Sequence, residues 1–207
     1  MDLTYGQVED LLARMHMIPP EHRGALRARL KHFKRLGFPP GVNTGSGRRA
    51  QYDMEALIKL LCAFEMLQLG ISPERAAAMM NYFAPTLMVG ADNLRASVLD
   101  PTTDEFLIIF DPFALARISD QAREIEDNST KADEAFIKLP GSFFCALGSR
   151  HAQLIRRRRT AVINLSLVLS NAAEFLGQHE EITRSAFARA LNDWADDMAS
   201  KPWEPHP

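Results

Sequence analysis

The chain has 207 residues, 46% hydrophobic and 24% charged, with a formal net charge of −2, an ordinary globular composition with room for one large domain or two small ones. No apolar run approaches the roughly 20 residues needed to span a bilayer, and the acidic start MDLTYGQVEDLL lacks the basic flank and apolar stretch of a secretory leader, so a cytoplasmic protein without a membrane segment is expected. The two cysteines, Cys62 and Cys145, lie far apart in apolar surroundings and the six histidines are scattered, which argues for reduced core thiols and against a clustered metal site.

The overall charge conceals an asymmetry. Residues 1–80 hold 11 Lys/Arg against 8 Asp/Glu, whereas residues 81–207 hold 13 against 18. Between His22 and Tyr52 stand Arg23, Arg27, Arg29, Lys31, Lys34, Arg35, Arg48 and Arg49 with no acid among them. A solvated helix face usually mixes signs, so this exclusion of acids is the footprint expected of a surface that meets phosphates.

In chain order, Thr4 caps a predicted helix over about Tyr5 to Met15, with Val8, Leu11 and Leu12 at helical spacing. Pro19-Pro20 opens a second helix, since proline is tolerated where an N–H has no partner anyway. Leu26, Leu30, Phe33 and Leu36 form its inward stripe, Arg23, Arg27, Lys31 and Lys34 a neighbouring basic stripe, and Gly37 its left-handed end. GVNTGSGRRAQYD reads as a glycine-rich hairpin with Arg48 and Arg49 on the return arm. Asp53 caps a third, heavily apolar helix from about Met54 to Leu69, which Gly70 ends, and Ser72-Pro73-Glu74 starts a fourth that runs to about Met80.

The order helix, helix, hairpin, helix, turn, helix resembles the MerR-type winged helix-turn-helix over roughly residues 3–80. Leu30-Lys31-His32-Phe33-Lys34-Arg35-Leu36-Gly37-Phe38-Pro39 is similar to the end of that family's recognition helix. Gly47-Arg48-Arg49-Ala50-Gln51-Tyr52-Asp53 is similar to the end of its wing, and Leu69-Gly70-Ile71-Ser72-Pro73-Glu74 to its later turn. The second helix is longer than usual and the wing carries one residue more between glycine and tyrosine. The resemblance implies that the second helix enters the major groove of double-stranded DNA, with Arg23 and Arg27 toward guanine edges and Lys31, His32 and Lys34 on phosphates. Arg48, Arg49 and Tyr52 would anchor the wing, with either arginine as the phosphate contact. Tyr52 reads equally well as a residue packed between wing and third helix, and His32 as an exposed helix residue.

Beyond residue 82 the long dimerising helix common among MerR-like regulators is missing. RASVLD and EFLIIF read as short strands flanking a turn at Pro101-Thr102-Thr103-Asp104, followed by a helix near Pro112 to Ile118 and a polar, acidic loop over 119–135. A strand around Val162, Ile163 and Leu165 runs into a helix to Leu176, and Thr183 caps a last helix from Ile182 to Ala199. Arg156, Arg157, Arg158 and Arg159 are candidates for an anion or partner contact, or form a solvent-facing basic turn.

The expected fold is therefore mostly α with a smaller β component. A winged helix-turn-helix over 1–82 precedes a small α+β dimerisation or regulatory domain over 83–200, and 201–207 form a tail. Neither a nucleophile–base–acid set nor a phosphate-binding loop is legible, so neither enzyme activity nor a cofactor is expected. The function expected is sequence-specific transcription regulation by a DNA-binding homodimer, with RNA polymerase a candidate partner and any effector unspecified. The alternatives are an excisionase-like DNA-bending factor, and a ligand-binding protein whose N-terminal module contacts other proteins.

Overall fold

The structure, a computed structural model, describes residues 1–42, 49–100, 102–103, 105–110, 144–147 and 160–200. It is mostly helical with a small β component. Strand β1 (Leu3–Thr4) runs directly into α1 (Tyr5–Met15). There the Thr4 hydroxyl accepts from the Gln7 N–H at 3.4 Å and the Gln7 side-chain oxygen accepts from the Thr4 N–H at 2.7 Å, two otherwise orphaned donors satisfied reciprocally. The two prolines open a single 3₁₀ turn, Pro20–His22, so α2 itself begins one turn later than expected and spans Arg23–Arg35. It ends as the sequence reading has it: Gly37 adopts φ +70°, and the Phe38 N–H reaches back to the Phe33 carbonyl at 3.0 Å.

Strand β2 (Gln51–Tyr52) pairs antiparallel with β1, Leu3 opposite Tyr52 and Thr4 opposite Gln51. Asp53 caps α3 (Met54–Gln68) through the Ala56 N–H at 2.8 Å. After Gly70 at φ +81°, α4 (Pro73–Leu87) runs well past the expected end at Met80. Leu94 and Val98, four apart and fully buried, give RASVL a helical period, and it closes α5 (Ala91–Leu99) rather than forming a strand. Of the turn expected at 101–104 only Thr102 and Thr103 are described; they follow a helix where a strand was expected, and the Asp100 carboxylate accepts from the Thr102 N–H at 2.9 Å.

The remaining described elements are β3 (Phe106–Phe110), β4 (Phe144–Leu147), β5 (Ala161–Asn164), α6 (Leu165–His179) and α7 (Arg184–Ser200). Strand β3 is central, antiparallel to β4 on one side and to β5 on the other. Thr183 caps α7 as expected, accepting from the Ala186 N–H at 3.1 Å. The expected helix near 112–118, the loop over 119–135 and the tail lie outside the described residues.

One hydrophobic core runs from Leu3 to Trp194. The boundary expected after residue 82 falls inside α4, and α1 and α3 pack against α6 and α7 across it. Gly90 illustrates the packing. A Cβ there would collide with the ring of Phe106, itself buried, so this glycine, at the N-cap of α5, makes room for the Phe106 ring of β3. Gly90→Ala is expected to destabilise by about 1–3 kcal/mol in urea unfolding, the usual cost of overpacking a filled site. Gly24→Ala, on the open face of α2 where an added methyl meets nothing, is expected to be neutral or stabilising by about 0.5 kcal/mol.

The partly buried His16 imidazole lies beside Phe64 with ring centroids 5.9 Å apart, and its Nε2 has no hydrogen-bond partner among the described residues. Burial holds its pKa below the ordinary 6.5. As pH falls below 6.5 the unfolded chain takes up a proton that the folded one resists, so stability must fall with it. In thermal unfolding between pH 7 and 5, the wild type is expected to lose more stability than His16→Phe, which keeps the aromatic contact without the titration.

Candidate nucleic-acid interface

Helix α2 buries Leu26, Leu30 and Phe33 and exposes Gly24, Ala28, Lys31 and Arg35 along the opposite line. The buried face fixes its roll. Phe33 meets Phe38 and Phe64 with centroids 5.2 and 5.6 Å apart, locking the helix onto α3. What faces outward on α2 is thus set by what its other side must bury.

The expected basic stripe divides into residues with quite different surroundings. Arg23 is two-thirds buried and its terminal nitrogen Nη1 is ion-paired to Asp10 of α1. Its Nε is buried without a partner among the described residues. Arg27 donates from Nε to the Glu9 carboxylate of α1 at 2.8 Å while its side chain stays 55% exposed; Glu9 itself is buried. Lys31 and Lys34 are exposed. His32 points to the other flank and meets Glu74 of α4 at 2.7 Å, with Arg35 at 3.3 Å from its second ring nitrogen. A guanidinium can only donate, so in this geometry Nδ1 accepts from Arg35 and Nε2 carries the hydrogen toward Glu74. The Glu74 carboxyl is held below its ordinary range by its own backbone N–H in the first turn of α4 and by His32.

Of the residues expected in a wing, Arg49 is exposed just before β2. Tyr52 is a core residue at 6% exposure, and burial, with Tyr5 nearby, pushes its hydroxyl up to about 12. The antiparallel pairing with Leu3 turns its ring inward, which corrects its expected place on the binding face. Arg48 and the Arg156–Arg159 run lie outside the described residues. Sequence reasoning also missed the partners of the stripe, Glu9, Asp10 and Glu74. The signal is present, since Glu9-Asp10 form an acidic pair on a short helix directly before a helix rich in arginine.

Compared with protein-family models, with characterised proteins and with solved structures, the chain gives no match. Among the described residues there is no cluster of His, Cys, Asp or Glu that could hold a metal ion, and no helix is long and apolar enough to cross a membrane.

The two kinds of arginine differ in what their loss costs. Arg27→Ala strands a buried carboxylate and is expected to destabilise by about 1–2 kcal/mol, below the full cost of breaking a buried pair because the arginine end is solvated. Arg29→Ala, at an exposed position, is expected to stay within about 0.5 kcal/mol in the same urea titration.

Proposed function

We propose that the chain binds double-stranded DNA, with α1 and α2 as the helix-turn-helix and the segment leading to β2 as the wing of a MerR-like module. In this reading it is a transcription regulator that acts as a homodimer. The observation that carries the reading is the division of α2 into two faces. Leu26, Leu30 and Phe33 are spent on the core, while Lys31, Lys34 and Arg35 stand exposed with the small Gly24 and Ala28 beside them. Small residues let a helix approach closely, and the cations supply the attraction for phosphates that dominates affinity for duplex DNA. Arg49 adds an exposed cation at the wing's return arm. The C-terminal elements share the core of this module, so a second subunit would meet the DNA in an orientation set by the whole chain. Two-fold pairing would double the site read.

The test is binding of the purified full chain to a pool of random-sequence duplexes, followed by gel shift between about 50 and 200 mM salt. Binding should fall steeply with salt. Replacing Lys31, Lys34 and Arg35 together by alanine should flatten the slope of log K against log salt by about three units, one for each phosphate no longer neutralised. Enrichment of a recurring sequence supports the regulator. Salt-sensitive binding without enrichment would point to the DNA-bending alternative, and no retained duplex at the lowest salt would discard the reading.

A further inference from the structure

We propose that Arg27 reads a guanine edge with its terminal nitrogens and that Glu9 is the residue that positions it, whereas Arg23 is a structural strut. This inference rests on the DNA-binding reading above.

The two arginines lie one turn apart on α2 and each meets a carboxylate of α1, but through different atoms. Asp10 takes Nη1 of Arg23, part of the end-on fork that a base edge would need, and that side chain is two-thirds buried. Glu9 takes Nε of Arg27 at 2.8 Å, on the inner side of the guanidinium. That leaves Nη1 and Nη2 of a side chain that is 55% exposed as a fork of parallel donors. Guanine offers O6 and N7 in the major groove as two acceptors at matching spacing, whereas adenine places a donor where O6 would be.

Glu9 is well suited to hold the fork still. Its carboxylate is buried, and it stands on a helix anchored by the Thr4–Gln7 capping box and by Val8, Leu11 and Leu12 in the core. Tyr5 lies one turn earlier on α1, where burial first and the Glu9 carboxylate second raise the pKa of its hydroxyl and Arg27 lowers it. An arginine on a free stem loses rotamer freedom on binding. One already pinned at Nε loses less, and its plane is set before the DNA arrives. The pair is also formally neutral, so Glu9 brings no uncompensated negative charge to the backbone.

The experiment uses the full chain and the duplex it selects from a random pool, compared with variants of that duplex in which each G·C pair in turn becomes A·T. Wild type is expected to discriminate at one guanine per half-site by about 5- to 150-fold. Arg27→Lys should abolish that discrimination, since an ammonium offers no fork. Glu9→Gln should reduce it at least about fivefold at that position alone, leaving affinity for random duplex equal or higher because one negative charge is gone. In the Arg27→Lys background, Glu9→Gln should change nothing further, a coupling that general destabilisation would not produce. Should Glu9→Gln fail to fold, Glu9→Asp keeps the charge but withdraws it by one methylene, and the same selective loss is expected. Full discrimination in a folded Glu9 variant overturns the positioning role while the DNA-binding reading stands. Loss with Arg23→Lys in place of Arg27→Lys overturns the assignment of the reader. Failure of the wild type to retain any duplex removes the reading on which both rest.

Discussion

Helix α3 is apolar around most of its circumference, and that single fact organises the molecule. Leu57, Ile58, Leu60, Leu61, Phe64 and Met66 are all buried, and no one neighbour can cover them. A helix of this kind must be enclosed. Helix α4 and the Phe33 side of α2 supply part of the enclosure, α6 and α7 another part, and β2 seats its first turn. Even its Lys59 is buried, its charge answered at 2.7 Å by Glu55 one turn earlier. The cover is drawn from both ends of the chain, so the N-terminal helices and the C-terminal pair belong to one core rather than two.

The same enclosure decides which charges α2 can offer. Rolled by Phe33 onto α3, the helix presents one flank to α1 and the other to α4. Carboxylates wait on both, Glu9 and Asp10 on one, Glu74 on the other. A block of the sequence that contains no acid is thus flanked in space by three. The cations that face neither neighbour, Lys31 and Arg35, lie on the line farthest from the buried face. A charge count along the chain overstates the positive surface, because it is blind to neutralisation by residues a dozen or more positions away.

What could be read without coordinates was local. The caps at Thr4, Asp53 and Thr183 and the left-handed glycines at 37 and 70 act within a few residues of themselves, and each stands where its chemistry suggested. Leu26, Leu30 and Phe33 of the expected inward stripe were legible for the same reason, since helical periodicity is a short-range pattern, whereas Leu36, expected with them, caps the end of α2 and is 40% exposed. RASVL resists such a reading because a β-branched residue beside a leucine suggests a strand while the spacing of Leu94 and Val98 suggests a helix, and only packing against α6 and α7 decides between them. Gly90 carries a true signal that is easily misinterpreted. It is small because of Phe106, sixteen residues on, and not because the chain turns there. Tyr52 and Arg23 escape for a further reason. Whether an aromatic or an arginine is working surface or structure depends on partners that no spacing rule supplies.

The shared core also bears on how the α2 surface connects to the rest of the chain. Gln7, whose backbone and side chain together cap α1, donates from its amide to Glu180 at the end of α6 at 2.7 Å. From there Arg184 at the start of α7 reaches Glu174 of α6 at 3.3 Å and the Val98 carbonyl of α5 at 3.0 Å. Helix α1 is therefore held at its N-terminus by the C-terminal helices and, a turn later, holds Arg27 and Arg23 itself. A flexible joint between the N-terminal helices and the C-terminal ones would let each move alone. Here a displacement of α6 has to strain α1 or break the Gln7–Glu180 bond, and strain in α1 bears on the Glu9 and Asp10 carboxylates it carries. Close-packed interiors shift by discrete rearrangement more readily than by gradual bending. Any influence of the C-terminal elements on the α2 face is thus best sought in the seating of α1.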